Sequence, residues 1–285
     1  MASEGRAGRR GIGMDEGADE ETEAVAEVEG GDGPIRAGPV AIGAAGISKI
    51  GGRQANEDAF GILEAEGIRC YVVADGLGGH RGGAEAARIA VDVVAEYLRH
   101  RSQFRLTPES WTPFVTDLAG TVQGTIIQEQ RRTAHLADMR TTLTVLFIAQ
   151  GMAYWFHVGD TRLYHFRRGA MLLRTRDHSL PEYYFRHGTI TEDQIRTHPY
   201  RNRLLMCLGV EGMLEVEVST PIAVEPGDAF LLCSDGYWEL VLEEDMETTL
   251  RATADAEAWL AGMVALLEAR IPPRHDNYTA VAVRC

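Results

Sequence analysis

The chain has 285 residues, 45% hydrophobic and 25% charged, which is enough to bury a core in one large domain or two small ones. Its formal net charge is −14. This balance argues against nucleic acid or an anionic membrane surface as the main partner, because both attract basic proteins.

Much of the negative charge lies at the N-terminus. Residues 1–33 carry ten acidic residues and three arginines, a net −7, so the rest of the chain carries the other −7. Residues 1–38 are rich in Gly, Ala and Glu, which predicts an acidic, disordered tail. We interpret it as a solvated tail, with a docking or autoregulatory tail as the alternative. The folded domain is expected at residues 39–285.

The first half of this domain predicts strands followed by two helices. Residues 42–48 alternate weakly, and Ile68–Ala74 is an apolar run typical of a buried strand. Gly83–His100 places apolar residues at helical spacing. A second helix is predicted from about Ser110 to Arg132, with Pro113 in its first turn and these residues inward: Phe114, Leu118, Val122 and Ile126.

The second half predicts short strands and one further helix. The β-rich runs are Thr141–Ala149, Met152–Val158, Arg162–Arg167, Met171–Thr175, Glu215–Ser219, Ala229–Ser234 and Tyr278–Val283. Gln150-Gly151 and Arg168-Gly169 are tight-turn candidates, so the first four runs predict an antiparallel meander. Residues 179–203 are charged and lose periodicity, as in a surface excursion. Asp255–Arg270 predicts a helix with these residues inward: Trp259, Met263, Leu266 and Leu267. The class is α+β, with helices on the outer faces of antiparallel sheets.

Three aspartates stand beside apolar runs. Asp75 and Asp235 each end such a run, and Asp276 stands just before another. A carboxylate beside a hydrophobic core is costly unless something pairs with it, so we expect the three to converge on a divalent metal. Aspartate oxygens suit Mg or Mn, and the sequence has no Cys or His pair at zinc-like spacing.

A glycine-rich segment, residues 76–83, follows Asp75 directly. Glycines let the main chain pass close to an ion, and a backbone carbonyl could join the ligands. A nucleotide-binding turn is the rival interpretation, but neither GxGxxG nor GxxxxGK[ST] is matched. For this stretch alone, an ordinary loop before a helix stays open.

Arg53, Glu57 and Asp58 form a second polar cluster. An arginine near carboxylates can hold a phosphate dianion in a bidentate fork while the acids order water. Alone, such a cluster is more typical of a surface loop. Beside the Asp-Gly sites, the functional interpretation is favoured.

Eight segments, in order, resemble the bacterial form of the type 2C metal-dependent protein serine/threonine phosphatases. They are Arg53…Asn56-Glu57-Asp58, Ala74-Asp75-Gly76-Leu77-Gly78-Gly79-His80, Thr141-Thr142-Leu143-Thr144, Val158-Gly159-Asp160-Thr161-Arg162-Leu163-Tyr164, Arg176-Asp177-His178-Ser179-Leu180, Asn202…Leu208-Gly209, Gly227-Asp228…Leu231-Leu232-Cys233-Ser234-Asp235-Gly236 and Asp276-Asn277-Tyr278-Thr279. The resemblance covers about residues 42–285. It implies a four-layer α-β-β-α sandwich with two Mg or Mn ions in a cleft.

The resemblance also implies a role for each site residue. Asp75 would bridge the ions and the Gly76 carbonyl would bind one of them, while Asp235 and Asp276 would hold the other. The residues that would order water and bind the phosphate are Glu57, Asp58 and Arg53. Water activated by the metals would be the nucleophile, so no phosphoenzyme forms. Residues 179–203 match the flap beside the cleft, whose candidate substrate contacts are His178, His187 and Asn202.

Some positions depart from the family pattern. Leu77 stands where animal relatives carry a histidine proposed as general acid, so protonation of the leaving group would fall to water on the metals. Asp138 and Arg140 replace glycines. Asp138 is the candidate ligand for a third metal ion, which the departure puts in doubt. We interpret Asp160 as structural rather than as a ligand.

These features predict a metal-dependent phosphoserine/phosphothreonine protein phosphatase that opposes a bacterial Ser/Thr kinase. The flap segment and the compact length of the chain also resemble those of phosphatases that accompany type VI secretion. The alternatives are an inactive adaptor that binds phosphoproteins and a small-metabolite phosphatase whose flap closes over a small pocket. The sequence has no CxxC, signal peptide or membrane span, so we expect a cytoplasmic monomer whose partners are phosphoproteins and the kinase system.

Overall fold

The computed structural model describes residues 41–78, 82–100, 105–212 and 214–285. The predicted acidic tail at 1–38 and residues 79–81 of the glycine-rich segment lie outside this range. The strands are β1 Gly43–Lys49, β2 Asp58–Ala65, β3 Ile68–Leu77, β4 Arg140–Thr141, β5 Leu143–Ala149, β6 Met152–Val158, β7 Arg162–Arg167, β8 Ala170–Arg174, β9 Glu217–Val218, β10 Ile222–Ala223, β11 Asp228–Cys233 and β12 Tyr278–Arg284. The helices are α1 Gly82–His100, α2 Pro108–Arg132, α3 Leu180–Arg186, α4 Asp193–Thr197, α5 Asp235–Trp238, α6 Glu243–Ala252 and α7 Ala256–Arg270.

The described strands form two antiparallel sheets. One has the order β10-β6-β5-β3-β2, with β4 beside β3 and β9 beside β6. The other has the order β1-β12-β11-β7-β8. Both predicted hairpins, β5–β6 and β7–β8, are present with paired registers.

Three buried layers of side chains hold the sheets and helices together. Strand β3 contributes to two of these layers, because successive side chains of a strand point to opposite faces of the sheet. Cys70 and Val72 join a core with α1 and α2, whereas Tyr71 and Val73 join a core between the two sheets. A third core lies between the second sheet and α5–α7. Helix, sheet, sheet and helix are therefore stacked in four layers, which confirms the predicted fold class.

Helix α2 begins earlier than predicted. The Thr107 side chain accepts a hydrogen bond from the backbone of Ser110, which caps the helix start. Pro108, not Pro113, therefore occupies the first turn, where the missing N–H costs nothing, and Pro113 lies inside the helix. The predicted inward residues are all buried: Phe114, Leu118, Val122 and Ile126.

The predicted four-stranded meander is wrong at its middle. β6 and β7 are in different sheets, and the chain crosses between them through Gly159, Asp160 and Thr161. Gly159 has φ of +106°, and a Cβ there would lie 2.5 Å from the Thr142 side chain. The crossing needs glycine and places Asp160 at the edge between the sheets.

Other differences concern elements with weak apolar patterns. Strand β2 and helices α5 and α6 were not predicted, because β2 is half-exposed and α6 begins with three acids. The predicted strand Glu215–Ser219 shortens to β9, and Leu266 is half-buried rather than inward. Residues 179–203 contain the short helices α3 and α4. Among the described helices, none is both long and apolar enough to cross a membrane.

Candidate active site

A cleft of about 260 Å³ opens where several strands end. Its lining contains most of the predicted site residues, from both sheets and from the flap. They are Arg53, Glu57, Asp75, Gly76, Asn202, Asp235 and Asp276, together with Gln54, Ala55, Leu77, Gly78, Asp160, Leu204 and Asn277. The fold thus brings together segments that are far apart in sequence.

Asp58 and Asp75 stand directly opposite each other in the β2–β3 ladder. Opposite residues of an antiparallel pair project to the same face, where two like charges repel. Burial raises the pKa of Asp58 to about 6. The pKa of Asp75 is raised well above its usual value, first by burial and then by Asp58 and other carboxylates. A cation beside this pair would stabilise its charged form.

Two threonines fix the backbone of Asp75. Its N–H donates to Thr142 Oγ1 at 2.9 Å. Its carbonyl accepts from Thr141 Oγ1 at 2.9 Å and from the Thr142 N–H at 2.9 Å. The Thr-Thr segment therefore holds both sides of this residue and sets where its carboxylate points.

Gly76 and Gly83 meet so closely that neither position has room for a side chain. A Cβ on Gly76 would overlap the Gly83 carbonyl, and a Cβ on Gly83 would overlap Glu57 Oε2. Gly83 lies in the first turn of α1, where unpaired N–H groups favour a nearby carboxylate. The glycines thus let the Glu57 carboxylate and the Gly76 backbone approach the cleft together.

Asp235 follows β11 and begins α5. Its Oδ1 atom is buried and has no hydrogen-bond partner among the described residues. Burial raises its pKa well above the usual value, and Asp160 and Asp276 raise it further. An unsatisfied buried carboxylate oxygen is costly, and a bound cation would remove that cost.

Asp276 lies half-buried across the cleft. Its Oδ2 pairs with the Arg53 guanidinium, and its Oδ1 accepts from the Asn277 N–H at 2.8 Å. Gly236 lets this segment pack closely, since a Cβ there would overlap the Asn277 carbonyl. Asp235 and Asp276 thereby face the same space.

The donor set fits hard divalent cations. The carboxylates of Asp75, Asp235 and Asp276 and the Gly76 carbonyl supply only oxygen, which suits Mg and Mn. The unpartnered Asp235 oxygen and the mutually raised pKa values both call for positive charge at this point. These residues could therefore hold metal ions.

Two residues belong to the site although they were not predicted as site residues. Asp160, interpreted as structural, is buried in the cleft lining, and its pKa is raised to about 7 by burial and then by Asp177. The sequence gives little indication of this role, because Asp160 lies in a short crossing between strands rather than at the end of a long apolar run.

The second such residue is Asn277. It accepts from the Glu57 N–H at 2.9 Å and donates to the carbonyls of Ile50 and Ala55. It fixes the loop that carries Arg53.

The three flap candidates do not lie together. Asn202 lines the cleft beside Arg201, which pairs with Glu239 at 2.6 Å. His178 stacks on His157 with ring centroids 4.8 Å apart, and it is not in the cleft lining. The remaining candidate, His187, ends α3 and its Nδ1 contacts the Tyr183 carbonyl.

Asp138, the candidate ligand for a third metal, is exposed outside the cleft lining. Its carbonyl, rather than its carboxylate, packs against the backbone at Gly78. Gly78 has φ of +119°, so this close approach also depends on glycine.

Comparison with known proteins identifies the family of this chain. The family model described as Protein phosphatase 2C matches residues 45–272. The serine/threonine phosphatase stp of Listeria innocua is 34% identical over 201 residues, which cover 70% of this chain and 79% of that protein.

Two solved structures share the fold. One is PppA, a key regulatory component of T6SS in Pseudomonas aeruginosa, with a TM-score of 0.69 and 30% identity over 85% of this chain and 97% of that one. The other is the catalytic domain of the serine/threonine protein phosphatase PstP in complex with two manganese ions, with a TM-score of 0.71 and 23% identity over 85% and 97%. The chain belongs to the protein phosphatase 2C family and is a metal-dependent phosphatase.

Proposed function

We propose that this phosphatase hydrolyses phosphoserine and phosphothreonine in proteins, with two Mg or Mn ions held by Asp75, Gly76, Asp235 and Asp276. The observation that carries the proposal is the unpartnered, buried Oδ1 of Asp235, a residue that lines the cleft together with other carboxylates that raise its pKa. When bound, the ions would supply hydroxide near neutral pH and stabilise charge on the phosphoryl oxygens.

The chain's own residues would position the reactants. Arg53 lies at the mouth of the cleft with its side chain 55% exposed, so its guanidinium can turn from Asp276 to a phosphate dianion. Glu57 is fixed through its N–H by Asn277, and Asp58 accepts from Ser234 Oγ at 2.8 Å. Glu57 lines the cleft and Asp58 lies opposite Asp75 in the β2–β3 ladder, so we assign both carboxylates to orienting attacking water, as general bases or by hydrogen bonds.

The lining of the cleft supports a phosphorylated side chain of a protein as substrate. Most of its lining residues are polar, and the flap residue Asn202 and the adjacent Leu204 lie along it. The named activity of the Listeria relative and the T6SS role of PppA support a bacterial phosphoprotein substrate with an opposing Ser/Thr kinase. We further propose a cytoplasmic monomer, in keeping with four free cysteines.

The test is a release assay on metal-stripped protein with phosphoserine, phosphothreonine and phosphotyrosine peptides, with and without Mn²⁺. We expect Mn²⁺-dependent release from the first two. Asp235→Asn should lower it by about 10²–10³-fold, and the exposed control Glu244→Gln should leave it unchanged. Binding of phosphopeptide without any release would instead favour the adaptor. Activity confined to small phosphate esters would favour the metabolite phosphatase.

A further inference from the structure

Outside the cleft, three possible metal ligands converge at the edge of the first sheet. One ligating atom from each of His157, His178 and Glu217 lies within 4.8 Å of the other two. His157 on β6 is the ladder partner of Glu217 on β9, and His178 comes from the segment after β8. The fold thus joins two histidines and a carboxylate that are distant in sequence.

His157 is oriented in the way that metal-ligating histidines are. Its Nε2 lies 2.7 Å from the Arg176 carbonyl. A carbonyl can only accept, so Nε2 carries the proton and Nδ1 keeps a free lone pair. Nδ1 is buried without a hydrogen-bond partner among the described residues. Ligating histidines commonly donate their second N–H to a backbone carbonyl in this manner.

The other two groups complete the donor set. The Nδ1 of His178 accepts from the Gly159 N–H at 3.2 Å, so Nε2 carries the ring proton in the absence of metal and gives it up when an ion binds there. Burial, followed by the neighbouring His157, lowers the pKa of His178 to about 4, so the ring is neutral near pH 7. Glu217 is exposed, so its carboxylate can meet an ion arriving from solvent.

We infer that His157, His178 and Glu217 form a second cation site that takes Zn²⁺ or a similar transition-metal ion. Two imidazole nitrogens and one carboxylate, with water in the fourth position, form a common zinc coordination shell. Imidazole favours zinc over Mg, and zinc binds such sites more tightly than Mn. The site therefore differs in chemistry from the all-oxygen cleft.

Occupancy of this site acts on both sides of the cleft. Binding through His178 Nε2 moves the ring proton to Nδ1, which can then no longer accept from Gly159. Gly159 precedes Asp160, which lines the cleft. The His178 carbonyl also accepts from the Leu205 N–H at 2.8 Å, next to the cleft residue Leu204. Zinc is thus expected to shift the ¹⁵N resonance of the Gly159 amide.

The test uses full-length protein saturated with Mn²⁺ and titrated with Zn²⁺ against a chromogenic chelator. Glu217→Gln and His178→Gln should each weaken binding of the first zinc ion by at least about 10–100-fold, the scale of losing a ligand's outer partner. Glu215→Gln removes the same charge from an exposed residue nearby and should bind like the wild type. X-ray absorption at the zinc edge should show imidazole scattering for that first ion.

Equal zinc affinity in the wild type and Glu217→Gln, or a first zinc ion bound by oxygen alone, would overturn the inference. The cluster would then be a hydrogen-bonded histidine pair. Thermal unfolding without zinc shows whether each variant is folded. Should His178→Gln fail to fold, the exposed Glu217→Gln still decides the outcome. Neither result depends on phosphatase activity, so the proposed function is tested separately.

Discussion

Two groups of buried carboxylates in this phosphatase differ in what balances their charge. Asp177 receives two hydrogen bonds from the Arg162 guanidinium, at 2.8 and 2.7 Å, and both side chains are at most 3% exposed. That guanidinium also lies 3.5 Å from the centre of the Trp238 ring. In the cleft, by contrast, Asp75 and Asp235 are surrounded mainly by other carboxylates. A buried acid whose partners all come from the protein is structural, and an acid without them indicates a ligand site.

The largest effect should come from breaking the balanced cluster. Arg162→Leu leaves Asp177 buried without its cation, so we expect the free energy of unfolding to fall by about 3–5 kcal/mol. Urea unfolding of the metal-free protein measures this. Arg131→Ala breaks the exposed pair with Glu211 at 2.6 Å and should cost less than about 1 kcal/mol. Comparable losses in the two variants would contradict the comparison.

The acidic cluster should respond in the opposite way. Asp235→Asn removes one of the repelling charges, so metal-free stability should stay equal or increase. Turnover should fall by about 10²–10³-fold, the scale on which charge stabilisation at a reaction centre acts. Steady-state kinetics with Mn²⁺ measure the turnover, and thermal unfolding in the presence of a chelator measures the metal-free stability. A variant that is both unstable and active would show that Asp235 is structural.

Bound Mn²⁺ should stabilise the folded protein through the carboxylates of the cleft, whose negative charge the protein itself does not balance. At a Mn²⁺ concentration of about 100 times Kd, linkage predicts about 2.7 kcal/mol of added unfolding free energy for the wild type. Asp235→Asn should gain much less. Differential scanning calorimetry with and without Mn²⁺ measures the difference. An equal gain in both proteins would place the stabilising ion elsewhere.

The smallest effect concerns pH. In the metal-free protein the pKa values of Asp58 and Asp160 are raised to about 6 and about 7, above the ordinary 3.8. Between pH 3.8 and their raised pKa values these two groups bind more protons in the folded state than in the unfolded state. Their contribution to stability is therefore largest below about pH 4 and is lost as pH rises through 6 to 7. Saturating Mn²⁺ should flatten this decline. Melting temperatures across pH 4–8 test it, and stability that rises over this range would contradict it.

The sequence was informative where chemistry coincides with a strong local pattern. Asp75 and Asp235 were detectable because each ends an apolar run that is a buried strand in the structure. Asp160 was not, because the crossing between sheets has no periodicity of its own. Histidine spacing argued against a zinc-type cluster, yet the β6–β9 pairing places His157 beside Glu217, and the segment before the flap stacks His178 on His157. Such tertiary proximity leaves no trace in the spacing along the chain.

The ladder position of Asp58 opposite Asp75 has a consequence for folding. Side chains alternate between the faces of a strand, so slipping β2 by one residue would turn Asp58 away from Asp75. The same slip would exchange the partly buried residues of β2 that face α1 with those that face the second sheet. The acidic cleft therefore requires the correct register of this hairpin, and recovery of metal binding during refolding should not precede its pairing.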